Sequence, residues 1–224
     1  WDFGTGALGD MACHTANMAF MACELASPTT IVADATDVND ETCPSSAKIT
    51  FEFPSRGTKA HQSALNFFWY EGQKAGQKLL PPADLLAKVL KQDEKPSNSG
   101  SIIVGEKAIL YSPNDYGAQF RILGEVELPK NLTKPETLPT NGGGDQGQKT
   151  EWAKAIREGK PTLALSNFDY AGMLTETILL GNVAIRVGKK LEFDAAKLLC
   201  TNCKEAAQFI KTVYRKGWEL SDKA

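Results

Sequence analysis

The chain has 224 residues, 42% hydrophobic and 23% charged, with a formal net charge of −2. That length can bury a full core without staples, and the composition excludes a disordered chain. With no clustered basic excess there is no reason to expect nucleic acid or an anionic membrane surface as partner. No stretch approaches the ~20 apolar residues of a membrane span.

The sequence opens at Trp1 without a methionine or signal-peptide pattern. A processed form or a fragment is therefore expected, and the compartment, cytoplasm or periplasm, stays open. Residues 10–25 read as the first helix. Asp10 opens it, and Met11, Ala12, Cys13, Ala16, Met18, Ala19, Phe20 and Leu25 make it apolar nearly all round, the mark of a buried helix. Strands follow at Thr29–Ala35 and Ala47–Phe53. In the second, Ile49, Phe51 and Phe53 alternate with Lys48, Thr50 and Glu52, as in a sheet with one face covered. Leu65–Tyr70 is a third strand, and Pro81-Pro82 breaks the chain before a short helix at Asp84–Lys91. Gly105-Glu106 joins Ile102–Val104 to Ala108–Tyr111 as a hairpin, and Gln119–Leu123 adds another strand.

A long Pro/Gly/Asn-rich connection, Pro129–Gln148, precedes helices at Thr150–Glu158, Asp169–Val187 and Asn202–Tyr214. Gly188 stops the second of these, and Asn202-x-x-Glu205 opens the third as a capping box. Between them Leu191 and Phe193 mark an edge strand. Strands that succeed one another without helices between them pair antiparallel. The expected fold is α+β, an open-faced, mostly antiparallel sheet with helices packed on one face. Phe51, Phe53, Phe67 and Trp69 exceed what one helical layer needs, so a homodimer through the sheet face is expected.

Two motifs invite functional readings that the context weakens. Cys200-x-x-Cys203 lacks the two further ligands a zinc site needs, and reads as a pair of small residues around a helix start. Gly4-Thr5-Gly6-Ala7-Leu8-Gly9 spells G-x-G-x-x-G, but no strand feeds it and the strand after the helix is followed by another strand. Close backbone packing before a buried helix explains these glycines better.

The informative pattern lies in the first helix. Asp10, His14 and Asn17 fall at i, i+4 and i+7 and share one face. A carboxylate one turn before an imidazole can orient the ring and favour its charged form, which suits a proton shuttle near neutral pH. The same residues also read as a helix cap and a core histidine. At the start of the long helix, Asp169 and Tyr170 read either as a grip on a hydroxyl-rich ligand or as an N-cap and a core aromatic. Glu176 and Asn182 read as satisfied polar groups in a closely packed helix.

The segment Trp1-Asp2-Phe3-Gly4-Thr5-Gly6-Ala7-Leu8-Gly9-Asp10-Met11-Ala12-Cys13-His14 resembles the G-D-x-G-x-H opening of the second domain of the glucose–fructose oxidoreductase / inositol dehydrogenase / MocA family. Ser166-Asn167-Phe168-Asp169-Tyr170-Ala171-Gly172, Leu180-Gly181-Asn182-Val183-Ala184 and Tyr214-Arg215-Lys216-Gly217-Trp218-Glu219-Leu220 resemble bacterial members with a C-terminal extension. The resemblance implies that residues 1–224 form a C-terminal substrate-binding and dimerisation domain of the dihydrodipicolinate-reductase-like type. It places NAD or NADP on an N-terminal Rossmann domain absent from this chain, so the chain alone is expected to be inactive. It implies hydride transfer at a carbinol or carbonyl carbon of a sugar, cyclitol or related polyol, with His14 and Asp10 catalytic and Asn17, Asp169 and Tyr170 at the substrate. Asn17 stands where many members carry an aspartate. The family's catalytic lysine, in an E-K-P segment, belongs to the other domain, and Glu94-Lys95-Pro96 matches it by coincidence. A cofactor-retaining lyase or glycosidase of the same family, and a sugar-binding or assembly module without chemistry, stay open as alternatives. No metal is expected.

Overall fold

The computed structural model describes residues 1–127, 144–211 and 213–219. Its main sheet has six strands, all antiparallel: β1 (Thr30–Thr36), β2 (Ser46–Phe53), β3 (Leu65–Lys74), β4 (Gln77–Lys78), β8 (Leu191–Asp194) and β9 (Leu199–Cys200). They lie in the order β4-β3-β2-β1-β8-β9, and the sheet does not close. A second, three-stranded antiparallel sheet joins β5 (Ser101–Val104), β6 (Ala108–Ser112) and β7 (Arg121–Gly124). The helices are α1 (Gly6–Thr15), α2 (Asn17–Ala22), α3 (Ala83–Val89), α4 (Gly144–Glu158), α5 (Phe168–Val187) and the short α6 (Ala207–Ile210). The α+β architecture expected from the strand succession is the one observed.

Register fixes which side chains meet the helices. Ile31, Phe51 and Phe67 are cross-strand partners, as are Ala33, Ile49 and Trp69. Ile31, Ile49 and Phe51 are fully buried there. Helices α1 and α5 cover this face. At Gly181 of α5 the backbone comes so near that an added Cβ would lie 2.7 Å from Leu8 of α1 and 3.0 Å from Phe51 of β2. Glycine admits that approach without displacing either side chain. Asn182 beside it donates to the carbonyl of Thr5 at 2.8 Å, tying α5 to the start of α1.

The four aromatics on which self-association was expected to rest, Phe51, Phe53, Phe67 and Trp69, therefore lie on the helix-covered face; strands count by twos, and all four are odd-numbered. The opposite face carries Val32, Thr50 and Phe68 in one cross-strand row and Asp34, Lys48 and Tyr70 in the next. Val32 and Phe68 are 38% and 45% exposed, and the Lys48 ammonium sits over the rings of Phe68 and Tyr70.

Several local expectations are corrected. The first helix starts at Gly6, so Thr5 rather than Asp10 is its N-cap residue. It is also interrupted: α1 ends at Thr15 and α2 restarts at Asn17. It is not buried all round, since Asp10 and His14 are exposed. Asn202 does not open a capping box. Its carboxamide accepts from the amide of Glu192 and donates to the carbonyl of Lys190, both at 2.9 Å, so it staples β8 instead. With the box gone, the segment closes to a 3-10 turn (Lys204–Ala206) and α6, which ends at Ile210. Strand β8 is not an edge, because the two-residue β9 pairs with it. The connection Pro129–Gln148 falls largely outside the described residues, and residues 144–148 belong to α4.

Candidate functional site

Asp10 and His14 share the exposed face of α1, one turn apart. No hydrogen bond joins them, and the imidazole has no hydrogen-bond partner among the described residues. What it meets is the ring of Tyr116, edge-on with centroids 5.7 Å apart. Tyr116 is 73% exposed, so the pair forms an open lip rather than a plug.

Asn17 and Tyr170, singled out separately and 153 residues apart, are brought together. The Tyr170 hydroxyl donates to Asn17 Oδ1 at 2.5 Å. Phe20 packs edge-on against the Tyr170 ring at 6.1 Å. Burial pushes the Tyr170 phenol up to about 12, so it is a neutral donor at any ordinary pH. The bond leaves the carboxamide nitrogen of Asn17 without a partner among the described residues. Asp169 stands apart from this pair. It is exposed in the first turn of α5, and the cap is Asn167, whose Oδ1 accepts from the Asp169 amide at 3.1 Å. A carboxylate there is favoured by the helix dipole without any ligand.

The sequence reading missed the loop that completes this surface, residues 113–118. Asn114 Oδ1 accepts from the amides of Tyr116 and Ala118, both at 3.2 Å, which folds the loop into a turn. Gly117 takes φ +66° where an added Cβ would strike Met18 of α2 at 2.9 Å. The turn signal was present in Pro113-Asn114-Asp115-Tyr116-Gly117. What the turn docks against was not.

The other candidates resolve into structural roles. Glu94 accepts from both terminal nitrogens of Arg121, at 2.8 and 2.9 Å, and that guanidinium holds its carboxyl below the usual carboxylate range. Glu176 accepts from Ser27 at 3.5 Å. Cys200 and Cys203 are free thiols in the core, where burial pushes Cys200 up, and Cys203 donates to Glu205 at 3.1 Å. A depression of ≈ 460 Å³ beside Glu52, Phe53 and Asn66 shares no residue with the His14 surface. Among the described residues no group of three or more His, Cys, Asp and Glu side chains is placed to hold a metal ion. Nor is any helix there long and apolar enough to cross a membrane.

The glycine-rich turn does not fit a dinucleotide. The Thr5 side chain occupies the space over Gly9, Gly6 backs onto Cys43, and β1 and β2 are antiparallel neighbours rather than parts of a βαβ unit. No protein-family model matches the chain, and neither does any curated protein.

Proposed function

We propose that this chain is the substrate-side domain of an NAD(P)-dependent oxidoreductase acting on a sugar, cyclitol or related polyol. In this reading it is of the dihydrodipicolinate-reductase-like type, as the resemblance to the glucose–fructose oxidoreductase / inositol dehydrogenase / MocA family implies. The observation that carries the reading is the exposed His14 imidazole on α1, with a carboxylate one turn before it and the Asn17–Tyr170 pair one turn after. Such a surface offers a proton acceptor beside amide and carboxylate partners for hydroxyl groups.

The cofactor belongs, in this reading, to a domain outside the chain. The chain's own part is the proton. A carbinol oxygen that becomes a carbonyl must shed its proton, and His14 accepts it and returns it in the reverse direction. Asp10, which makes no direct bond to the ring, acts through its charge on the imidazolium and contributes less. The open sheet face with Val32, Phe68 and Tyr70 is the surface through which two copies would pair.

The test is turnover of the whole encoded protein, any residues upstream of Trp1 included, with NAD or NADP and a panel of polyols. His14→Ala is expected to lower kcat by ~10²–10⁴-fold with cofactor affinity intact. Near-normal turnover in a folded His14→Ala protein would remove the catalytic assignment.

A further inference from the structure

Next to the proposed proton-transfer surface lies a set of contacts that takes no direct part in the reaction. Consecutive residues of α1 meet consecutive residues of the 113–118 turn: His14 faces Tyr116, and Thr15 donates to Asp115 Oδ1 at 3.0 Å. One turn on, Met18 lies against Gly117. Ser99 donates to the same Asp115 oxygen and lies 3.2 Å from the Thr15 hydroxyl. Ser101 at the start of β5 donates to the Thr15 carbonyl at 2.7 Å. That carbonyl lies at the end of α1, immediately before the helix breaks.

A carboxylate is the natural hub of such a cluster. It is acceptor-only, so two hydroxyl groups can donate to one oxygen, and charge makes each bond stronger than a neutral one. Asp115, Ser99 and Ser101 are partly buried and Thr15 is buried, which limits competition from water. The hub joins the small sheet to the α1–α2 junction, and His14 and Asn17 of the candidate site flank that junction. His14 precedes Thr15, and Asn17 follows it by two positions. Tyr116, against which the imidazole rests, is the neighbour of Asp115 itself.

We propose that Asp115 is the positioning residue of this surface. By holding Thr15 it locks the 113–118 turn onto α1, and so fixes the His14 ring against Tyr116. Its importance for turnover rests on the reading of His14 as the proton-transfer group; its effect on the ring does not. Two measurements separate these.

The first is the proton–proton Overhauser contact between the His14 imidazole and the Tyr116 ring. The chain has only two histidines, so the His14 signals are readily assigned. Asp115→Ala is expected to abolish the contact while the far-ultraviolet circular dichroism stays native. Asp115→Asn, whose amide carbonyl can still accept from Thr15, is expected to keep it. A contact that survives in Asp115→Ala overturns the proposal. Should Asp115→Ala not fold, Thr15→Val removes the same bond from the other side, with loss supporting the proposal and retention overturning it. The second measurement is kcat of the whole encoded protein, expected to fall ~10–100-fold in Asp115→Ala and to recover in Asp115→Asn. If the ring contact is lost and turnover is unchanged, the positioning stands and the catalytic reading of His14 falls.

Discussion

Helix α5 contains a matched pair of glycines whose substitution should move stability in opposite directions. At Gly172 a methyl group would meet nothing within 4 Å, and the position is exposed. Alanine there removes the conformational cost of glycine in a helix and should add about 0.5–1 kcal/mol. At Gly181 the same gain is opposed by contact. The added carbon would lie 2.7 Å from Leu8 Cδ2, 3.0 Å from Phe51 Cζ and 3.5 Å from Ile49 Cγ2. Both nearest atoms are ends of side chains, which can sometimes retreat. Here Leu8 is 1% exposed and Phe51 is fully buried, so neither has anywhere to go. Overpacking of that kind costs about 1–3 kcal/mol. Net of the helical gain, Gly181→Ala should destabilise by roughly 1 kcal/mol. In a chain of this size 1 kcal/mol is worth ~2–4 °C in Tm. The two variants should therefore straddle the parent protein, with the Gly181→Ala melt roughly 5 °C below that of Gly172→Ala. Thermal melts followed by circular dichroism read this directly, and urea titrations should show shifted midpoints at constant slope. If both variants melted above the parent, the α5–α1–β2 contact would not be as close as described.

Three further outcomes test other parts of the molecule. Because burial holds the Tyr170 phenol up at about 12 while the unfolded chain ionises near 10, the native state keeps a proton that the unfolded state has lost. Stability should fall as pH rises from about 10 to 12, and Tyr170→Phe should flatten that slope in urea melts run across the range. Burial also raises the Glu71 carboxyl, which accepts from the Trp69 indole at 2.6 Å. Glu71→Gln keeps an acceptor without the charge, so it should stabilise the chain at pH 7, with the gain gone below about pH 4, where both states of the parent are protonated. Calorimetric titration of this chain with NAD or NADP should give no binding heat; low-micromolar affinity would overturn the assignment of the cofactor to another domain.

How much of this was legible in the sequence depended on whether the deciding contacts were local. Period-two alternation in β2 named its buried face correctly, because Ile49, Phe51 and Phe53 are set by the pleat and by nothing further away. Gly188 stopped α5 as expected, in the left-handed conformation at φ 65°. The break between α1 and α2 was illegible for the opposite reason. No proline or glycine marks it, the backbone at Ala16 is still right-handed, and the residues that pin it, Ser99, Ser101 and Asp115, come from 84 to 100 positions later. Asn202 failed in a similar way. Its spacing to Glu205 suits a cap, but its carboxamide found two backbone partners instead, one on β8 and one just before it, on a stretch that β9 does not reach.

The candidate site divides along the same line. A helical repeat is enough to place Asp10 and His14 on one face, and they are there. Exposure is not a property of that repeat. Apolar neighbours on every side predict a buried helix, yet α1 meets α5 and β3 on one side and leaves the other to a loop whose sequence reads only as a turn. The same fact decides the chemistry available. A histidine sealed in the core would be closed to a ligand whatever its partner. An exposed one, resting edge-on against an aromatic ring and without a hydrogen-bond partner among the described residues, keeps both nitrogens for a ligand. The strongest feature of the site, an exposed imidazole resting against Tyr116, thus arises from long-range contacts that the pattern of α1 could not show.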